Sequence, residues 1–118
     1  MISISLTCHF DAAHVLKVPY ESPCTRPHGH RYAVEIAASA QQLEHGMVAD
    51  YNALKRVVEE FDHRDLNALP DFANTPTTAE SIAAVLARKL QTAAGARVSI
   101  DEVIVRESPT TAARWRKG

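Results

Sequence analysis

Three observations predict an α+β fold for this chain: a four-stranded antiparallel sheet with two helices on one face, in the order ββααββ. Both ends of the chain alternate apolar and polar residues with period two. The middle carries two segments whose apolar residues recur at helical spacing, and cap or turn residues separate the segments. With 118 residues the chain is read as one domain, 1–118, which one sheet and two helices would exhaust.

The first strand follows from Ile2, Ile4, Leu6, Cys8, Phe10 and Ala12, which alternate with mostly polar residues and whose phase continues to His14. The second places His28, His30, Tyr32, Val34 and Ile36 on one side and Gly29, Arg31, Ala33 and Glu35 on the other. Asp50 is suited to cap a helix that buries Leu54, Val57, Val58 and Phe61, wets Lys55, Arg56, Glu59 and Glu60, and stops near Asp62-His63. After a loop with Pro70 and Pro76, Thr77 and Glu80 read as a capping box ahead of Ile82, Val85, Leu86 and Leu90, with Gly95 as the stop. Val98 to Glu107 predicts a third strand, irregular at Asp101-Glu102 because the apolar phase shifts from Val98 and Ile100 to Val103 and Val105. Thr111 to Arg116 predicts the fourth. Helices on one face leave the other face and both edges open, so oligomerisation is expected.

Composition narrows the function. Thirteen Lys and Arg against fourteen Asp and Glu give a net charge of −1, which argues against nucleic acid as the main partner. No stretch has the apolar length of a membrane span, and Ser3, Ser5 and Thr7 interrupt any signal-peptide core. A cytoplasmic location is therefore expected, with Cys8 and Cys24 as reduced thiols.

The chemistry centres on His14, His28 and His30. In a strand, His28 and His30 project from one face about 7 Å apart, and an adjacent antiparallel strand would bring His14 to them. Three imidazoles suit a catalytic Zn2+ with an open position, whereas addition of Cys24 as a fourth ligand would make a closed structural site and a binding module without catalysis. His9 has the opposite strand phase, and His45 precedes Gly46 in a turn, so both are read as bystanders.

The motifs Phe10-Asp11-Ala12-Ala13-His14, Cys24-x3-His28-Gly29-His30, Gly46-Met47-Val48-x-Asp50-Tyr51, Asp62-His63-x-x-Leu66-Asn67, Thr78-Ala79-Glu80 and Val105-x-Glu107 occur in this order along nearly the whole chain. Together they resemble the 6-pyruvoyltetrahydropterin synthase and 6-carboxytetrahydropterin synthase family. The chain departs from the commonest pattern at Phe61, at Ser81 and at Arg106 beside Glu107. The resemblance implies a tunnelling fold whose trimers close a β-barrel, often stacked as hexamers, with active sites between subunits. The three residues between Cys24 and His28 resemble the queuosine-pathway 6-carboxytetrahydropterin synthases, with the pyruvoyl-forming reaction as the alternative.

The substrate so implied is 7,8-dihydroneopterin triphosphate, with zinc on His14, His28 and His30 polarising its side-chain oxygens. Cys24 would then remove a carbon-bound proton, and Asp62-His63, across a subunit interface, would move further protons. A helix C-terminal histidine bound to the last carbonyls is the other reading of that pair. Glu107 would hold the amino and ring N–H groups of the pterin, and Thr78 would support the ring, unless it serves only as a helix cap. Lys17, Arg26 and Arg31 are candidates for the triphosphate.

Overall fold

Ile2–His14 (β1) and His28–Ala40 (β2) form one long antiparallel pair in the computed structural model, which describes all residues from Met1 to Gly118. Their register runs without a break from Ile2 opposite Ala40 to His14 opposite His28. The period-two pattern explains this exactness of phase, because a slip by one residue would turn every apolar side chain to the wrong face.

Tyr51–Glu59 (α1) starts where expected: the Asp50 Oδ1 accepts the Asn52 N–H at 2.9 Å, and Leu54, Val57 and Val58 are buried. Its last turn tightens through Phe61 and Asp62, and His63 then adopts a left-handed φ of 58°, which turns the chain back along β1. Here Arg64–Asp65 (β3) pairs parallel with Ala12 and Ala13. The expected four strands are present, but the sheet therefore has five. A two-residue strand is too short to carry an alternation, so this edge left no periodic signal.

Ala79–Ala94 (α2) ends at Gly95, whose φ of 83° suits glycine. Its cap is Thr78, whose Oγ1 accepts the Ser81 N–H at 3.2 Å, rather than Thr77. The Thr77–Glu80 capping box does not form, because Thr77 is fully buried and its polar groups are used elsewhere.

Ser99–Ser108 (β4) and Thr111–Arg116 (β5) complete the sheet in the order β3-β1-β2-β4-β5. The irregularity lies at the expected place: Ala37 pairs with Glu102 and Ala38 with Ile100, so Asp101 is the extra residue. This lets Ile100 and Val103 both face the core. A second irregularity between Val105 and Ser108, opposite Ala113 and Thr111, leaves Arg106 and Glu107 off the regular ladder to β5, though Arg106 still pairs with Ala33 of β2.

Both helices cover one face. Phe10, Tyr32, Val34, Ile36, Val103 and Val105 share one apolar cluster with Leu54, Val58, Ile82, Leu86 and Leu90. The opposite face carries charged pairs, with Arg106 Nη2 2.9 Å from Glu35 and Arg116 Nε 2.9 Å from Glu102. No helix is long and apolar enough to cross a membrane.

Candidate active site

The β1–β2 register brings the three histidines together at one end of the sheet. His14 stands opposite His28, and His30 is opposite Ala12. Ring centroids are 4.4 Å apart for His14 and His28, 5.2 Å for His14 and His30, and 4.9 Å for His28 and His30. One nitrogen from each lies within 4.8 Å of the others.

Their hydrogen bonds select the tautomers. His14 Nδ1 is 2.7 Å from the Thr77 carbonyl oxygen, and His28 Nδ1 is 2.7 Å from that of Arg26. A carbonyl only accepts, so both Nδ1 atoms carry the proton and both Nε2 lone pairs stay free. Burial holds His14 below the ordinary imidazole pKa, which favours the neutral, ligating form, while the Thr77 carbonyl acts in the opposite direction. The His14 Nε2 is buried without a hydrogen-bond partner.

Glu107 completes the cluster. Its Oε1 lies 3.6 Å from His14 Nε2 and 3.7 Å from His30 Nε2, beyond hydrogen-bond reach. A carboxylate facing the unpartnered Nε2 of His14 across such a gap is an arrangement that a cation relieves, so these residues fit a bound metal ion. The β4–β5 irregularity is the local cause, since a bulge re-aims the side chains within it. Tyr32 adds a group that strand patterning assigned only to the core. It stacks on Phe10 at 4.6 Å, and its buried hydroxyl has no hydrogen-bond partner. Burial, then the Glu107 charge, pushes that hydroxyl above its ordinary pKa.

Cys24 lies in the 3-10 turn Pro23–Thr25, with its amide bonded to Ser22 Oγ at 3.2 Å. Its thiol is half-buried and is not among the atoms that converge with the histidines. Asp62 and His63 form a pair, with His63 Nδ1 3.0 Å from Asp62 Oδ2. They group with the side chain of Asp11 rather than with His14. Asp11 and His14 are three residues apart on β1 and so point to opposite faces, and the pair is not among the side chains that converge with the histidine trio. The helix C-terminal alternative is not the arrangement seen: the His63 N–H reaches the Asp11 carbonyl on β1, and its ring reaches Asp62.

The Asp11 N–H donates to Asp62 Oδ1 at 2.8 Å, and this bond, assisted by His63, holds the Asp62 carboxyl below the usual carboxylate range. A depressed folded pKa contributes stability above the ordinary value of about 4 and loses it as pH falls through the folded value. Asp62→Asn is therefore expected to be less stable than the parent at pH 7 and to approach it on acidification. Denaturant unfolding at neutral and acid pH checks this; a constant difference between the two would contradict it.

The remaining candidates are dispersed. Thr78 caps α2, and Arg31, two-thirds exposed, lies 3.9 Å from Asp11. His9 is exposed, and His45 occupies the turn between Glu44 and Met47, so both stand apart from the trio as expected. Asn67 and Thr77, by contrast, contact the Val15 backbone and the His14 ring and were not singled out as site residues; their only signal was Asn67 within the Asp62-His63-x-x-Leu66-Asn67 motif.

An α+β protein with three convergent histidines at the end of a sheet defines the class as one with a potential metal centre. The family follows from comparison: the model for 6-pyruvoyl tetrahydropterin synthase matches residues 3–118, and the chain belongs to that family. It is 31% identical to the 6-carboxy-5,6,7,8-tetrahydropterin synthase of Bacillus subtilis, over 92% of this chain and 80% of that protein. It is also 35% identical to the dihydroneopterin monophosphate aldolase of Pyrococcus furiosus, over 70% of this chain and 68% of that protein. A Pyrococcus abyssi relative, provisionally named a 6-carboxy-5,6,7,8-tetrahydropterin synthase, is 43% identical over 58 residues, which span only 37% of its length. Among solved structures, the 6-pyruvoyl tetrahydropterin synthase of Caenorhabditis elegans superposes with a TM-score of 0.82 at 24% identity, covering 99% of this chain and 96% of that one.

Proposed function

We propose that this chain, as one domain over 1–118, is a cytoplasmic zinc-dependent 6-carboxy-5,6,7,8-tetrahydropterin synthase acting on 7,8-dihydroneopterin triphosphate in queuosine biosynthesis. The convergence of His14, His28 and His30, with free Nε2 atoms on two of them, carries the reading. The similarity to the Bacillus subtilis protein and the Cys24-x3-His28 spacing support the carboxy branch.

Bound on the three histidines, zinc would supply Lewis acidity toward the oxygens of the substrate side chain. Cys24 is assigned the carbon-bound proton. Asp62 orients His63, whose ring is assigned the further proton transfers. Glu107 is assigned the pterin's amino and ring N–H groups, and Thr78 the ring edge. Because the Asp62-His63 side chains group with Asp11 and not with the trio, a second copy is assigned to complete a site containing both. The charged sheet face and open edges suit a trimer closing a barrel, or a hexamer of two such rings.

Product analysis by mass spectrometry tests the reaction. Incubation of the zinc-loaded oligomer with dihydroneopterin triphosphate is expected to yield 6-carboxytetrahydropterin, acetaldehyde and triphosphate. A 6-pyruvoyl product without acetaldehyde would move the assignment to the pyruvoyl branch. The Pyrococcus furiosus similarity favours a second reading, aldol cleavage of the monophosphate, which would leave one side-chain carbon on the pterin. No turnover of any of these substrates would leave a metal-binding module without catalysis.

A further inference from the structure

We propose that Asn67, together with Thr77, is a positioning residue for the metal centre, locking the peptide after His14 so that the His14 Nε2 is held toward the other two imidazoles. The inference rests on the reading of His14, His28 and His30 as zinc ligands and identifies what sets the most buried of them.

Val15 lies just beyond the end of β1, where the ladder to β2 has stopped. The Asn67 side chain takes the place of a neighbouring strand there. Its Oδ1 accepts the Val15 N–H at 2.8 Å, and its Nδ2 donates to the Val15 carbonyl at 3.0 Å. A carboxamide is suited to this double bond because it offers an acceptor and a donor side by side. The Thr77 hydroxyl donates to the same carbonyl at 3.2 Å, and the Thr77 backbone carbonyl receives the His14 Nδ1 proton at 2.7 Å. Thus one residue's backbone and the preceding residue's ring are fixed by two segments distant in sequence.

Asn67 also ends a strap that runs beside β1. At the other end Asp62 and His63 bond the N–H and carbonyl of Asp11, and between them Arg64 and Asp65 pair with Ala12 and Ala13. Asn67 is exposed and adds little to the apolar core, so packing does not account for an amide at this position. Its bonds go to the N–H and carbonyl of Val15, the residue next to His14, while the outer partner of the ring itself is the Thr77 carbonyl.

The test is zinc affinity of the full chain by chelator competition, with cobalt absorption spectra and the downfield proton resonance of His14 Nδ1–H. Asn67→Ala is expected to weaken zinc binding by about 10–100-fold, shift the cobalt d–d bands and broaden that resonance, with circular dichroism unchanged. Thr77→Val should act in the same direction, and Thr77→Ser, which keeps the hydroxyl, should restore the parent values. Parent-like affinity and spectra in Asn67→Ala would overturn the clamp while leaving the zinc reading intact. Failure of the parent protein to bind stoichiometric zinc would overturn that reading and the clamp with it.

Discussion

Replacing His14 by alanine is expected to abolish stoichiometric zinc binding and, with it, turnover. His14 is the most buried of the trio, and its Nε2 has no hydrogen-bond partner to satisfy it in place of a metal. Removal of a ligand should exceed the roughly 10–100-fold loss that follows removal of an outer partner. His28→Ala and His30→Ala should have the same effect, since the geometry gives the site only three imidazoles. Cys24→Ala should keep its zinc, because the thiol lies outside the converging set. Glu107→Gln should keep it as well if that carboxylate serves the pterin rather than the metal. Elemental analysis of each purified variant decides the ligand set. A strong sulfur-to-metal charge-transfer band in the cobalt protein, lost in Cys24→Ala, would replace the open site with a closed one.

The second large effect concerns proton transfer. Cys24→Ala and His63→Ala should each lower kcat by roughly 10²-fold or more while leaving substrate affinity largely intact, since each removes a proton-transfer group and not a binding group. The two variants should also complement each other. On the reading that places His63 across a subunit interface from Cys24, a site assembled between copies can take Cys24 from one variant and His63 from the other. Refolding a 1:1 mixture is expected to restore about a quarter of parental activity, the fraction of randomly formed interfaces with both groups intact. Activity no higher than that of the separate variants would place both groups on one chain.

The long elements were legible in the sequence because their hydrophobic patterns are strong. Alternation through Phe10, Ala12 and His14 set the phase of β1, and the switch from Ile100 to Val103 disclosed the bulge at Asp101. Asp50 and Gly95 marked helix ends through chemistry that few other residues share. Thr77 and Thr78 were harder to separate, since either hydroxyl can cap a helix and only the tertiary demand of His14 and Val15 decides between them. β3 and the Asn67 contacts depend on a return of the chain after His63, whose left-handed backbone is unusual for a residue with a side chain. For the site, strand phase was sufficient to join His14, His28 and His30. The approach of Glu107 depends on the β4–β5 irregularity, which has no periodic signature. Tyr32 reads as a core residue because its ring is one; its unpartnered hydroxyl emerges only when the surrounding groups are placed.

The unbroken pairing from Ile2–Ala40 to His14–His28 bears on how such a protein matures. Backbone hydrogen bonds and an apolar core hold the two strands in register, and neither needs an ion. Metal capture would then be a late filling of a ready socket, unlike small zinc domains in which binding and folding are one event. On the zinc reading, a shortage of the ion would leave folded, idle protein that later supply can load.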